Sequence, residues 1–382
     1  MIEGILPYLI IIALYLAMSF FSKLYKHKGF WIIGLIFVLF FVGFKDKMSP
    51  DLKRYAFMYE NYGMLSHKLI EPGFIFFAFI LNKLGFSWVA LFFVYSSLTI
   101  LFIVLGIKNF SDKIVFAFLI FLLVPGFFLN MWVEIRQMLA LSLVFYAVSL
   151  INVNTRYKKF KFILSLFSSI IFHYSSIIFW LLFFSLKKFL PRKFSFYTYS
   201  VILLVSIIIP FIDMDEFIFK IVNKILSYFS IMAKYTYYFE SYLERKEAGL
   251  NFFNLLKSMT YTFLGFFISF YYNKFNKFHG YDRTNNILLN LFVIGVLILN
   301  ISIFNNPISR IAYYFLIYQI VLIPNLIYKF EKKETKILIL YLFLLFYFAQ
   351  FLKGLFYYST EAESYIFLHY KNVLINRILG GN

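Results

Sequence analysis

The sequence predicts an all-α, polytopic integral membrane bundle of about 10–12 transmembrane helices with re-entrant or broken segments, and three observations predict it. Of 382 residues, 62% are hydrophobic, 24% aromatic and only 14% charged, a composition that uses lipid as its solvent. Apolar runs of about 20 residues, the length that crosses a bilayer, recur along the chain. The charge, a net +19, is gathered in the short links between those runs.

Ten runs read as spans: 4–21, 30–44, 87–107, 114–130, 131–151, 195–212, 253–272, 286–304, 310–328 and 337–357. Two further apolar stretches fit less well. Gly73 to Leu84 is too short to cross, and Phe162 to Leu186 is long but carries His173 at its centre. The second is either one tilted span or two half-helices in a re-entrant hairpin. Met1 to Phe21 lacks a basic leader and a small-residue cleavage end, so a retained span is expected there, not a cleaved signal peptide. No composition break or repeat divides the chain, which reads as a single transmembrane domain over 1–382.

The links 22–29, 108–113, 152–161, 187–193, 273–284 and 329–336 hold 20 of the 37 Lys and Arg and 4 of the 18 Asp and Glu, which is +16 of the +19. Basic links face the cytoplasm. All six fall on one side only if 162–186 is a hairpin, so the hairpin is the favoured reading. Residues 45–72, 213–252 and 358–382 then lie outside. The excess charge is thus a topological address, and no nucleic-acid partner is expected. In the larger external loop, Ile218, Ile221, Val222, Ile225, Phe229 and Met232 recur at helical spacing. They mark an amphipathic helix, either on the outer leaflet or packed on the bundle.

Zero cysteines exclude a disulfide framework, a thiolate metal site and a Cys nucleophile. The phosphate-loop, dinucleotide, serine-elbow and zinc-hydrolase motifs are absent, and no acidic cluster has divalent-metal spacing. No metal and no cofactor are expected.

Polar groups at membrane depth are costly and therefore informative. Arg136, in Glu134-Ile135-Arg136-Gln137, opens a span near the outer face, and its planar fork suits phosphate oxygens. It also reads as an interfacial arginine snorkelling to water. Glu134 and Gln137, three apart, share a helix face. Arg310, after Asn305-Asn306-Pro307, stands at a helix start that offers N–H groups to an anion, or serves as a structural residue there. His173, in Phe172-His173-Tyr174-Ser175-Ser176, is a hydrogen-bonded packing residue or a base toward a sugar hydroxyl. The loop 45–72 holds Asp51, Tyr55 and Glu71, whose carboxylates are candidate bases or simply solvated charges.

The order of these elements resembles the EpsG-like branch of the Wzy polysaccharide polymerases. The resemblance rests on Val42-Gly43-Phe44-Lys45 followed by Asp51 and Tyr55, on Glu71-Pro72-Gly73-Phe74, and on Glu134-Ile135-Arg136-Gln137-Met138-Leu139-Ala140. Phe172-His173-Tyr174-Ser175-Ser176 and Arg310 through Tyr314 complete it. Lys45 stands where an Arg is usual, and Ser49-Pro50 replaces a Gly before Asp51.

The resemblance implies a GT-C-like membrane glycosyltransferase at the outer face of the bacterial cytoplasmic membrane. It would join lipid-linked repeat units, with a polyprenyl-pyrophosphate-linked oligosaccharide as donor and a chain-length regulator and flippase as partners. Arg136 and Arg310 become the diphosphate clamp. Gln137, Tyr55, Glu71 and Tyr314 become further substrate-binding residues. The general base is expected at Glu134 or Asp51 ahead of His173. The alternatives are a lipid-linked oligosaccharide flippase and a membrane O-antigen ligase or O-acyltransferase.

Overall fold

The computed structural model describes residues 2–64, 70–154, 156–212, 251–279, 282–304, 309–357 and 370–374, with isolated positions at 217, 220–221, 224 and 367. Of the apolar positions named for the amphipathic helix of the larger external loop, Ile221 is described and the others lie outside the described residues, as do 305–308. Among the described residues every regular element is a helix, as a chain in hydrocarbon requires, because only a helix or a closed barrel satisfies every backbone group internally.

The first unit comprises residues 1–173 and 332–382. Its helices are α1 (Ile2–Leu24), α2 (Lys28–Gly43), α3 (Pro50–Glu60), α4 (Pro72–Lys83) and α5 (Trp88–Phe110). They continue with α6 (Ile114–Leu123), α7 (Pro125–Phe128), α8 (Asn130–Val133), α9 (Ile135–Ser149) and α10 (Lys158–Phe172). The second unit, residues 174–331, holds α11 (Ser176–Leu186), α12 (Phe196–Ile208), α13 (Phe252–His279), α14 (Arg283–Ile301), α15 (Tyr313–Leu316) and α16 (Gln319–Ile327). The last helix, α17 (Lys333–Tyr357), returns to the first unit.

Among the described residues six helices are long and apolar enough to cross a membrane, or seven counting one bent pair, and four shorter apolar helices accompany them. The chain is a multi-pass integral membrane protein. The bend refines the sequence expectation: 114–130 is not one straight span. Ile114–Leu123 and Pro125–Val133 meet at 81°. Pro125 opens α7, and Val124 before it is extended at φ −84°, ψ 111°, since a residue preceding proline is driven out of the helical region.

Each unit is built around one buried span. In the first it is α9, almost every residue of which is buried, against α5 and α10. Gly106 makes the α5–α9 contact, for a Cβ there would stand 2.5 Å from the Phe145 ring. Around this core, α1 and α17 present lipid-facing stripes, on α17 at Leu338, Tyr341, Leu342 and Leu345, all exposed at helical spacing. In the second unit the buried span is Ser309–Ile327. Polar pins join the helices beside it. Asn300 donates to Ser206 at 2.8 Å and Thr262 at 2.9 Å and accepts from Ser258 at 2.6 Å, tying α12, α13 and α14. Interhelical bonds of this kind contribute about 1 kcal/mol each in a membrane.

Residues 370–373 form a strap on the end of α2. Val373 N–H donates to the Phe44 carbonyl at 2.8 Å, Asp46 N–H to the Lys371 carbonyl at 3.0 Å, and the Tyr370 ring stacks on Phe41.

Candidate functional site

The stretch Phe162–Leu186 is two helices, with the break where the sequence placed its histidine. The first, α10, ends at Phe172, and His173 is extended at φ −158°, ψ 116°. The second, α11, begins at Ser176. This break turns the imidazole away from a helical path.

What meets it comes from the start of α4. Glu71 precedes Pro72, which holds it extended at φ −63°, ψ 136°. Its side chain is fully buried and makes no capping bond to its own helix. Gly73 lies directly against α10: a Cβ there would be 2.5 Å from the Phe172 ring and 3.1 Å from Ile171. The missing side chain lets α4 and α10 touch. Phe77 then stacks on Phe172 at 5.3 Å, and Glu71 comes within reach of the next residue, His173.

Glu71 uses both carboxylate oxygens. His173 Nδ1 stands 3.1 Å from Oε1, while Arg136 Nη1 donates to Oε2. A carboxylate only accepts, so Nδ1 carries the hydrogen and the basic lone pair resides on Nε2. Arg136 reaches the carboxylate from the first turn of α9, whose start at Ile135 follows the bent residue Glu134. Its guanidinium lies over the Tyr55 ring at 5.0 Å and the Phe74 ring at 5.8 Å, which favours a planar cation. Tyr55 is buried on α3, where burial pushes its phenol above the ordinary value and the Arg136 charge opposes that.

Exposure separates the roles. The Arg136 and His173 side chains are 15% and 18% exposed, and Glu71 behind them is 0%. The two outer groups can face a substrate while the inner one holds them. Arg136 Nε is buried without a hydrogen-bond partner among the described residues.

The other predicted residues are distributed differently. Glu134 and Gln137 are buried, and Asn130 Nδ2 reaches Glu134 at 3.5 Å. Asp51 sits in the first turn of α3 behind the cap Ser49, whose hydroxyl accepts from Leu52 N–H at 3.1 Å. Its charge acts on Tyr55, and a carboxylate at a helix start is favoured by the dipole alone. Arg310 opens a 3-10 turn in the second unit, and Tyr314 there is buried with its hydroxyl 3.0 Å from that of Ser175.

Two cations carry more structure than the sequence reading gave them. Lys45 is fully buried, donates to the Met131 carbonyl and lies 5.7 Å from the Phe92 ring and 5.9 Å from the Trp132 ring. Burial draws its ammonium down to about 7. Lys257, within the apolar run of α13, donates to the Tyr313 hydroxyl at 2.8 Å, three residues after Arg310. A lysine inside a span was the available signal for it.

No curated relative and no solved structure matches the chain. Comparison with known families matches it to the EpsG family over residues 28–372. That range takes in every residue of the Glu71 site and runs through both units. The chain therefore belongs to the EpsG family, membrane proteins of exopolysaccharide biosynthesis.

Proposed function

We propose that the protein polymerises lipid-linked oligosaccharide repeat units at the outer face of the bacterial cytoplasmic membrane. The observation that carries this reading is the buried Glu71 carboxylate shared between a cation and an imidazole. Glycosyl transfer from a polyprenyl diphosphate needs both partners. An acceptor hydroxyl attacks the sugar C1, the C1–O bond to diphosphate breaks, and the electron pair leaves with the diphosphate. The hydroxyl proton goes to His173 Nε2, and the charge developing on the leaving group is met by Arg136. Positioned bases contribute about 10²–10⁴-fold, and a donor aimed at developing charge contributes about 10²–10³-fold.

In this reading His173 replaces Glu134 and Asp51 as the favoured base, because Glu71 fixes its tautomer. Glu71 is a positioning residue. Arg310 is a further diphosphate ligand on chemical grounds alone, since a guanidinium fork matches phosphate oxygens. A chain-length regulator and a flippase would be its working partners.

The test supplies the purified protein in lipid with one synthetic polyprenyl-diphosphate oligosaccharide and sizes the products. A ladder of repeat-unit multiples is expected. Oligosaccharide carried across the bilayer unchanged would identify a flippase and end this reading. Arg136→Ala and Arg310→Ala should each abolish the ladder in protein that still inserts; if both variants polymerise, neither arginine binds the diphosphate.

A further inference from the structure

We propose that the junction of α9 and α10 is a binding site for an anionic phospholipid, with its phosphate at Lys158 and Lys159 and an acyl chain along α10. The residues belong to the first unit and lie away from the Glu71 site, so the inference is independent of the function above.

A cavity of about 220 Å³ opens between the end of α9 and the start of α10, lined by Leu150, Ile151, Lys158, Lys159, Phe162 and Ile163. Its wall is apolar, the lysines contributing their methylene stems. Lys158 and Ile151 both line it, and the Lys158 ammonium donates to the Ile151 carbonyl at 3.0 Å. Lys159 is exposed. Arg156 and Lys161 flank them, and among the described residues no carboxylate pairs with any of these four cations.

From the cavity an apolar stripe runs up α10: Phe160, Ile163, Leu164, Phe167 and Ile171 are all exposed. The opposite face of the same helix buries Ser165 and Ser169. Polar residues inward and large apolar residues outward is the pattern of a surface solvated by acyl chains. Topological charge alone needs no recess, and lipid solvation alone needs no cations. Here an apolar recess is rimmed by lysines and continues into an exposed apolar track. An amphiphile with an anionic head and a hydrocarbon tail matches both ends, as basic pockets at membrane interfaces bind anionic head groups.

The test uses the full-length protein in bilayers of equal phosphatidylglycerol and phosphatidylcholine, extracted gently, with retained lipid measured by mass spectrometry. Phosphatidylglycerol should be retained over phosphatidylcholine, and Lys158→Gln and Lys159→Gln should each lower that excess about fivefold. Ile163→Trp, which fills the cavity and leaves every charge, should also release the lipid. Lys158→Arg with Lys159→Arg should keep it, which controls for folding. Equal retention of the two lipids by the unaltered protein overturns the proposal, as does full retention by the double Gln variant. Displacement by inorganic phosphate alone would make this a free-anion site. Preferential retention of added polyprenyl phosphate would make it a seat for the carrier lipid instead. Either result also overturns the assignment.

Discussion

Gly73 and Phe172 share a contact that leaves no room for a side chain on Gly73: a Cβ there would stand 2.5 Å from one ring carbon and 2.7 Å from another. The ring has little room to retreat, being stacked on Phe77 and set edge-on to Tyr95. Gly73→Ala should therefore move α4 away from α10 and part Glu71 from His173. Overpacking of this kind costs about 1–3 kcal/mol, and repeat-unit transfer should fall more than tenfold. Adding Phe172→Leu should restore part of both. Thermal unfolding and product sizing on the two variants check this, and a fully active single variant would show that the contact does not set the site.

Glu71 should act through its two partners. Removing one member of a buried charge pair costs about 3–5 kcal/mol, so Arg136→Ala and Glu71→Ala should each destabilise strongly, and the double variant by less than their sum. For turnover, His173→Ala should cost about 10²–10⁴-fold. Glu71→Gln should then cost less in the His173→Ala background than it does alone, because the part of its effect that runs through the imidazole is already lost and only the part through Arg136 remains. A double-mutant cycle on kcat/KM measures this. Full additivity would mean that Glu71 and His173 work separately.

Much of the membrane architecture was legible, because a span announces itself by length and hydropathy alone. The break at His173 was legible for the same reason: a polar ring at the centre of Phe162–Leu186 is costly in an unbroken helix. Pro125 was as visible as His173, yet the apolar run continues through it, and hydropathy does not register a bend. The hub role of Glu71 was not readable. Its partners lie 65 and 102 residues away, and only the close approach at Gly73 assembles them. The burial of Lys45 was not readable either. A lysine just past a helix end ordinarily snorkels to water, whereas this one is covered by Phe92 and Trp132.

That covering makes Lys45 a source of pH dependence. Burial takes its pKa from 10.5 to about 7. Between those values the unfolded chain binds a proton that the folded one does not, so stability rises with pH across that window and is lowest below it. The melting temperature of the purified protein should climb between about pH 6.5 and about pH 9. Lys45→Met, with no charge to desolvate, should be flatter and should exceed the unaltered protein most at the acid end. Lys45→Arg stays charged throughout and should be the least stable at alkaline pH. A Lys45→Met variant with the original pH slope would assign that slope to other groups.

The orientation proposed for the active site depends on the side of the membrane that holds Lys187, Lys188, Arg192 and Lys193. Within the second unit this link is pinned in place: Asn290 donates to the Leu190 carbonyl at 2.7 Å and the Arg192 carbonyl at 2.9 Å, and accepts from Tyr199 at 2.7 Å. Basic links remain in the cytoplasm, so a cysteine placed at Lys188 should be shielded from an impermeant reagent added to intact cells. The sequence has no cysteine to confuse the result. A cysteine at Lys53, on the exposed side of α3, should react under the same conditions. Labelling at position 188 with protection at position 53 would invert the protein, and Arg136, His173 and Glu71 would then have to serve a substrate on the cytoplasmic side.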